Sequence, residues 1–360
     1  MRKINKTLLI CLVLLVGLGL IVVAGCSDTS DRDQKPSENK GSEKVKDDKI
    51  VMRYSHGTSP TLEDPHHWSA VKFKELVEEY SDGRIEVEIY PAGQLGSEER
   101  GFQDVQNRVI QATSITSNNT ASFSKSIGTF DLPYLFKSYE EIYKTIDTLW
   151  DDLDNALIEE SGNRSIIWFA QGFRNPINSK RPVETIDDIQ GLKIRVPPNP
   201  IMVGTYGAWG AQPTPVAWDE TFSALQQGVV DGTCHPYSII LSVKLFEVTD
   251  YITALHYKPA IYHVVVNERW FQGLPLDLQD AVLKAGKETS VQSREVFEKL
   301  EDEALRVLIE EKGMKFSGVP KDEIVWMEKA MTIWPEFYNE IGGTELLGKI
   351  MDVVGRELPK

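Results

Sequence analysis

The sequence predicts an α/β fold divided between two lobes, and three observations carry that expectation. Strand-like and helix-like runs alternate from Lys49 onward. The 360 residues exceed a single domain of about 150. Between Asp277 and Lys312 there is no proline and, inside the stretch, only Gly286, while Val296, Leu300, Ala304 and Leu308 form an apolar stripe. As one helix of about 36 residues this segment runs about 54 Å, longer than the roughly 40 Å diameter of one lobe, so it can brace two.

The amino-terminal segment is not part of that fold. Arg2, Lys3 and Lys6 precede the apolar run Leu8 to Val23, which falls short of the roughly 20 residues of a spanning helix, so residues 1–25 are predicted to be an export signal. The run ends in Val23-Ala24-Gly25-Cys26, which resembles the lipobox of bacterial lipoproteins and implies that Cys26 is the lipid-attached first residue of the mature chain. Residues 26–48, whose stretch from Ser27 to Asp48 has Val45 as its one aliphatic residue, are expected to form a flexible tether of about 26 Å root-mean-square reach.

In the folded part, Ile50 to Tyr54 is a predicted strand, and Asp64-Pro65 opens a helix that Ser81-Asp82-Gly83 closes. Arg84 to Tyr90 alternates strictly and marks a strand with one wet face. A helix near Ser97 to Arg108, a strand near Gln111 to Ser117, a helix from Ser138 to Glu160 and a strand from Ser165 to Ala170 follow. A second series begins near Gly172, with strands at Leu192 to Val196 and Gln212 to Val216 and helices at Asn199 to Ala208 and Trp218 to Gln227. A β-rich run, Tyr251 to Asn267, precedes the long helix.

Composition narrows the function. Hydrophobic residues make up 41% of the chain and charged residues 26%, a globular balance. The net charge is −15, and loss of the three cations of residues 1–25 brings the mature value to −18. That charge argues against sequence-independent nucleic-acid binding, which works by replacing the counterions of a polyanion. Of three cysteines, Cys11 leaves with the signal and Cys26 is acylated, so Cys234 stands alone and no internal disulfide is expected.

Catalytic motifs are missing. The chain has no H-E-x-x-H helix, no G-x-x-x-x-G-K-[ST] phosphate loop and no G-x-S-x-G elbow. The series Gly204, Gly207 and Gly210 has the wrong spacing for a dinucleotide loop and is read as helix termination. The adjacent His66 and His67 diverge by about 100° on a helix and are assigned a surface or capping role rather than a shared metal. Cys234 beside His235 is read as a structural thiol. No metal and no cofactor are expected. Arg195 ends the strand Leu192 to Val196 before Pro197, opposite the face that holds Leu192, Ile194 and Val196, a position from which its planar fork can hold a carboxylate.

Four motifs in order make a family resemblance specific: Y-P-A-G-Q-L-G at Tyr90 to Gly96, F-D-L-P-Y-L-F at Phe130 to Phe136, G-L-K-I-R-V-P at Gly191 to Pro197, and A-L-Q-Q-G-V-V-D-G at Ala224 to Gly232. From about Lys49 to Lys360 the chain resembles a solute-binding protein of TRAP transporters, of the dicarboxylate-binding type. The resemblance implies a periplasmic-binding-protein-like fold with the ligand cleft between lobes, the lobes comprising 49–171 with 261–300 and 172–260 with 301–360. It implies hinge closure around a small organic acid, transfer to TRAP membrane subunits and an extracytoplasmic location with a lipid anchor at the membrane. Carried over residue by residue, it places Arg195 on the ligand carboxylate, with Arg174, Trp218, His56 and Asn119 lining the pocket. His235 stands where the family usually has asparagine, which leaves the substrate open. Cations beyond Arg174 for a second carboxylate are not evident, so a monocarboxylate with polar substituents is expected. The rival readings are an exported enzyme and a binding protein that reports to a sensor kinase.

Overall fold

A computed structural model describes residues 49–358, so the signal, Cys26 and the tether lie outside the described residues. The chain forms β1 (Ile50–Ser55), β2 (Ile85–Tyr90), β3 (Ala112–Thr116), β4 (Asn163–Phe173), β5 (Asn175–Asn178) and β6 (Lys193–Val196). It continues with β7 (Gln212–Pro215), β8 (Gly232–His235), β9 (Tyr251–Ile252), β10 (Pro259–Asn267) and β11 (Lys315–Phe316). Two sheets result, each the centre of one lobe. The first has the order β2-β1-β3-β10-β4 and the second β11-β9-β5-β8-β6-β7.

In the first sheet β1 is parallel to β2 and β3, and β10 runs antiparallel between β3 and β4. The period of two sorts the side chains of β10 between its faces. Ile261 and Val265 join the core beneath the helix Tyr139–Ser161, whereas Tyr262, Val264 and Val266 join the core beneath the helix Pro65–Tyr80. Burying each such aliphatic side chain contributes about 1.5–3 kcal/mol.

The chain leaves the first sheet for the second at Arg174, the one residue between β4 and β5. It returns between β9 and β10, and the crossings are tied together where Arg174 N donates to Lys258 O at 2.7 Å. The β-rich run Tyr251 to Asn267 is therefore two strands in different sheets. No periodicity announces the break; Pro259 opens β10 after an irregular stretch.

The long helix spans Leu276–Glu310, 35 residues. Leu278, Val282 and Ala285 pack under the first sheet, while Ala304 and Leu308 belong to the core that contains Ile177 of β5 and Ile252 of β9. One element thus braces both lobes. The expected helix over Trp218 to Gln227 is shorter, Thr221–Gln226, because 218–220 form a turn. The final helix, Glu345–Val353, was expected with the second lobe; Leu347, Ile350 and Met351 instead join the core that includes Ile142 and Leu153 of Tyr139–Ser161. We propose the expected lobe boundaries with that one change, the segment from Ile333 onward going to the first lobe.

Candidate functional site

Where the sheets face each other, ten residues line a half-open cavity whose empty space, its mouth included, is about 240 Å³. Glu98, Thr116, Asn118, Asn119 and Tyr262 come from the first lobe, Arg195, Pro197, Trp218 and His235 from the second, and Arg174 from the crossing between them.

Arg195 is held by β6, which β7 and β8 flank, and is 3% exposed. Its Nε donates to Val216 O at 2.9 Å. Its two Nη groups have no partner among the described residues and lie on the cavity wall. Arg174 is equally buried: Nη1 donates to Cys234 O at 2.9 Å and Nη2 to Asn118 Oδ1 at 3.2 Å, with Nε left unpaired. Neither guanidinium forms an ion pair among the described residues, in contrast to Lys258, which meets Asp131 at 2.8 Å in full burial. Burial, and then the charge of Arg174, pull Arg195 down to about 10. Two buried cations without a counterion make a site that an anion stabilises.

The opposite wall ends in Glu98, a residue the sequence reading missed. Ser97 caps the helix Glu98–Gln106, and a glutamate directly after such a cap reads as a favourable charge in a first turn rather than as a binding group. Here Glu98 turns inward. Its Oε2 accepts from Thr116 N and Oγ1, both at 3.0 Å, and from Asn119 Nδ2 at 2.9 Å. Oε1 has no partner among the described residues and faces the cavity. Burial pushes the carboxyl up to about 6. From Arg174 Nη2 a directional chain reaches it: Asn118 Oδ1 accepts from the arginine, Asn118 Nδ2 donates to Asn119 Oδ1 at 2.7 Å, and Asn119 Nδ2 donates to Glu98. The order of donors and acceptors fixes both amides.

His235 and Trp218 close the second-lobe side. Burial, then the charges of Arg174 and Arg195, hold His235 well below the usual imidazole range, so it is neutral and adds no third cation. Its ring meets Trp218 edge-on at 5.1 Å. Trp218 Nε1 donates across the cleft to Gly57 O at 3.3 Å, and its ring lies 6.0 Å from the Arg195 guanidinium carbon.

The structure therefore brings Arg195, Arg174, Trp218, His235 and Asn119 to one cavity. His56 is not on its wall: the ring is buried, with Nε2 3.1 Å from His67 Nδ1 and Nδ1 3.3 Å from Thr58 Oγ1. His66, expected in a surface or capping role, is fully buried with Tyr262 edge-on at 4.0 Å, and its backbone N donates to the Asp64 cap at 3.0 Å. Cys234 is buried, its Sγ 3.2 Å from Tyr257 Oη. Among the described residues no group of His, Cys, Asp or Glu is placed to hold a metal ion.

The matches to known proteins fit this architecture. The 2,3-diketo-L-gulonate-binding periplasmic protein YiaO of Escherichia coli K12 is 31% identical over 74% of this chain and 79% of its own. The C4-dicarboxylate-binding periplasmic protein of Rhodobacter capsulatus is 29% identical over 81% and 88%. Among solved structures, an open, ligand-free TRAP periplasmic solute-binding protein from Rhodobacter sphaeroides shares 38% identity and a TM-score of 0.73 over 85% of this chain and 99% of that one. A sugar acid binding protein from Advenella mimigardefordensis, in complex with galactonate, shares only 26% identity, yet its TM-score is 0.80 over 85% and 98%. Residues 55–341 match the model described as bacterial extracellular solute-binding protein, family 7. The chain belongs to that family of solute-binding proteins.

Proposed function

We propose that the protein captures, outside the cytoplasm, a small organic acid with one carboxylate and several hydroxyl groups, and delivers it to a TRAP-type membrane transporter. One observation carries the ligand class: a single cavity presents the free Nη groups of Arg195 and the free Oε1 of Glu98. With Arg174 and Arg195 positive, His235 neutral and Glu98 ionised, the walls carry one net positive charge, which one carboxylate neutralises. A ligand hydroxyl can donate to Glu98 Oε1, whereas a second carboxylate placed there meets like charge. The galactonate held by the Advenella relative and the diketogulonate in the name of the Escherichia coli relative are acids of this kind. The role is binding, with no bond made or broken, and lobe closure around the ligand excludes water.

Thermal unfolding with galactonate and with succinate tests the ligand class. Galactonate at 100 times its dissociation constant stabilises by about 2.7 kcal/mol. A larger shift with succinate would reassign the site to dicarboxylates. Lipid attachment at Cys26 belongs to the same proposal: Cys26→Ser is expected to release the protein from membranes, and retention of that variant in high salt would remove the anchor.

A further inference from the structure

A second, solvent-open space, about 650 Å³ with its mouth included, adjoins the ligand cavity through Trp218. Among the described residues Trp218 is the one side chain that lines both. It lines the ligand cavity together with Arg195 and His235, and the second space together with Gly57, Thr58 and Phe222.

We propose that Trp218 is the partition that sets ligand length, and that the space behind it is a subsite for an uncharged, apolar extension of a longer acid. The inference rests on the organic-acid reading and deepens it. Three features support it. Pro60, Phe222, Val243 and Leu245 give the second space apolar walls, and its charged residue is Asp219, so a carboxylate is repelled there and stays with Arg195. The partition is lightly held: its polar bond is the long one to Gly57 O, its ring is half-buried, and Gly57 has no side chain to wedge it. The Arg195 guanidinium carbon lies 6.0 Å from the ring centroid, so the partition stands directly beside the cation that takes the carboxylate. With the indole seated, the space beside Arg195 is bounded on this side; with the indole gone, the two spaces join.

Glycerate and 3-phenyllactate share a 2-hydroxy acid head and differ in their extension, so they serve as probes beside galactonate. Titration calorimetry on wild type, Trp218→Ala and Trp218→Phe is expected to show the phenyllactate-to-glycerate affinity ratio rising at least tenfold in Trp218→Ala and far less in Trp218→Phe, where a ring remains. Adding Val243→Trp to Trp218→Ala, which refills the second space, should reverse the gain. An unchanged ratio in folded Trp218→Ala overturns the partition. Equal loss of both acids also overturns it, since Trp218 would then be a contact for the acid head. A gain that survives Val243→Trp removes the subsite. If wild type binds none of the three acids, the organic-acid reading itself fails and this inference falls with it.

Discussion

Asp64 and Ser242 are hydrogen-bonded between the two lobes, Ser242 Oγ donating to Asp64 Oδ2 at 3.0 Å. The other carboxylate oxygen accepts Thr58 Oγ1 at 2.7 Å and the His66 and His67 amides at 3.0 and 3.4 Å, so Asp64 also caps the helix Pro65–Tyr80. Ser59 Oγ donates to Ser242 O at 2.9 Å beside it. A clasp of this kind exists only when the lobes are close.

Ser242→Ala removes the side-chain bond to Asp64 and leaves both the Ser59 bond to the backbone oxygen at 242 and the helix cap intact. One hydrogen bond contributes about 1 kcal/mol, so ligand affinity should fall about fivefold with thermal unfolding of the ligand-free protein nearly unchanged. Unaltered affinity by calorimetry would place the clasp outside the closing step.

Gly286 lies on the long helix against β4, and a Cβ there would fall on the Ile166 carbonyl. Replacing glycine by alanine inside a helix ordinarily favours the helix by about 1 kcal/mol. At Gly286 the overlap should win, since overpacking costs about 1–3 kcal/mol. Gly207, in the helix Pro200–Ala208, has nothing within 4 Å of such a Cβ. Gly286→Ala should therefore lower the urea midpoint and Gly207→Ala raise it or leave it unchanged. A shift of both in one direction would show that close approach is not what requires glycine at 286.

Glu98 gives a pH signature with a definite sign. Burial raises its carboxyl from an ordinary 4.5 to about 6, so the folded state holds this proton more tightly than the unfolded chain. The stability it contributes is full below 4.5 and is lost as the pH rises through about 6. Glu98→Gln does not titrate, and its amide oxygen can accept the bonds from Thr116 and Asn119. Its stability relative to wild type should thus improve by about 2 kcal/mol between pH 4.5 and 7.5, ligand absent. Comparing the two proteins, rather than following one, cancels the opposing titration of the buried histidines. A constant difference across that range would make Glu98 an ordinary solvated carboxyl.

What was legible in the sequence follows from range. The helix Leu276–Glu310 and the strands Ile50–Ser55 and Ile85–Tyr90 announce themselves because their signals, a stripe and an alternation, lie within a few residues. β5 and β8 did not: each has four residues, and their pairing, Asn175 with His235 through Asn178 with Gly232, is between segments distant in the chain. The site divides the same way. Arg195 was legible as an arginine at a strand end beside proline, and Arg174, Trp218, His235 and Asn119 came with the family motifs. Glu98 was not, because an acidic residue after a serine cap has an ordinary local explanation, and only the fold turns it toward Arg195. His56 was placed on the wall by resemblance, yet His67 and Thr58 engage its ring nitrogens.

The sharpest prediction concerns Arg195. Its backbone is fixed between β7 and β8, its Nε is anchored on Val216 O, and the free edge of its guanidinium can then offer two parallel donors to a carboxylate without reorganisation. Truncating one partner of such a desolvated charge pair costs roughly 2–5 kcal/mol, or about 30-fold to several thousandfold in affinity. Arg195→Ala should nearly abolish binding of the acid. Arg195→Lys keeps a cation but loses both the anchor geometry and the fork, so it should also bind poorly. The ligand-free Arg195→Ala protein, relieved of a cation that Arg174 repels, should unfold at a temperature no lower than wild type. That separates a ligand contact from a structural one: loss of affinity with stability kept supports the assignment. Near-native affinity in a folded Arg195→Ala protein would put the carboxylate elsewhere, with Arg174 as the next cation to test.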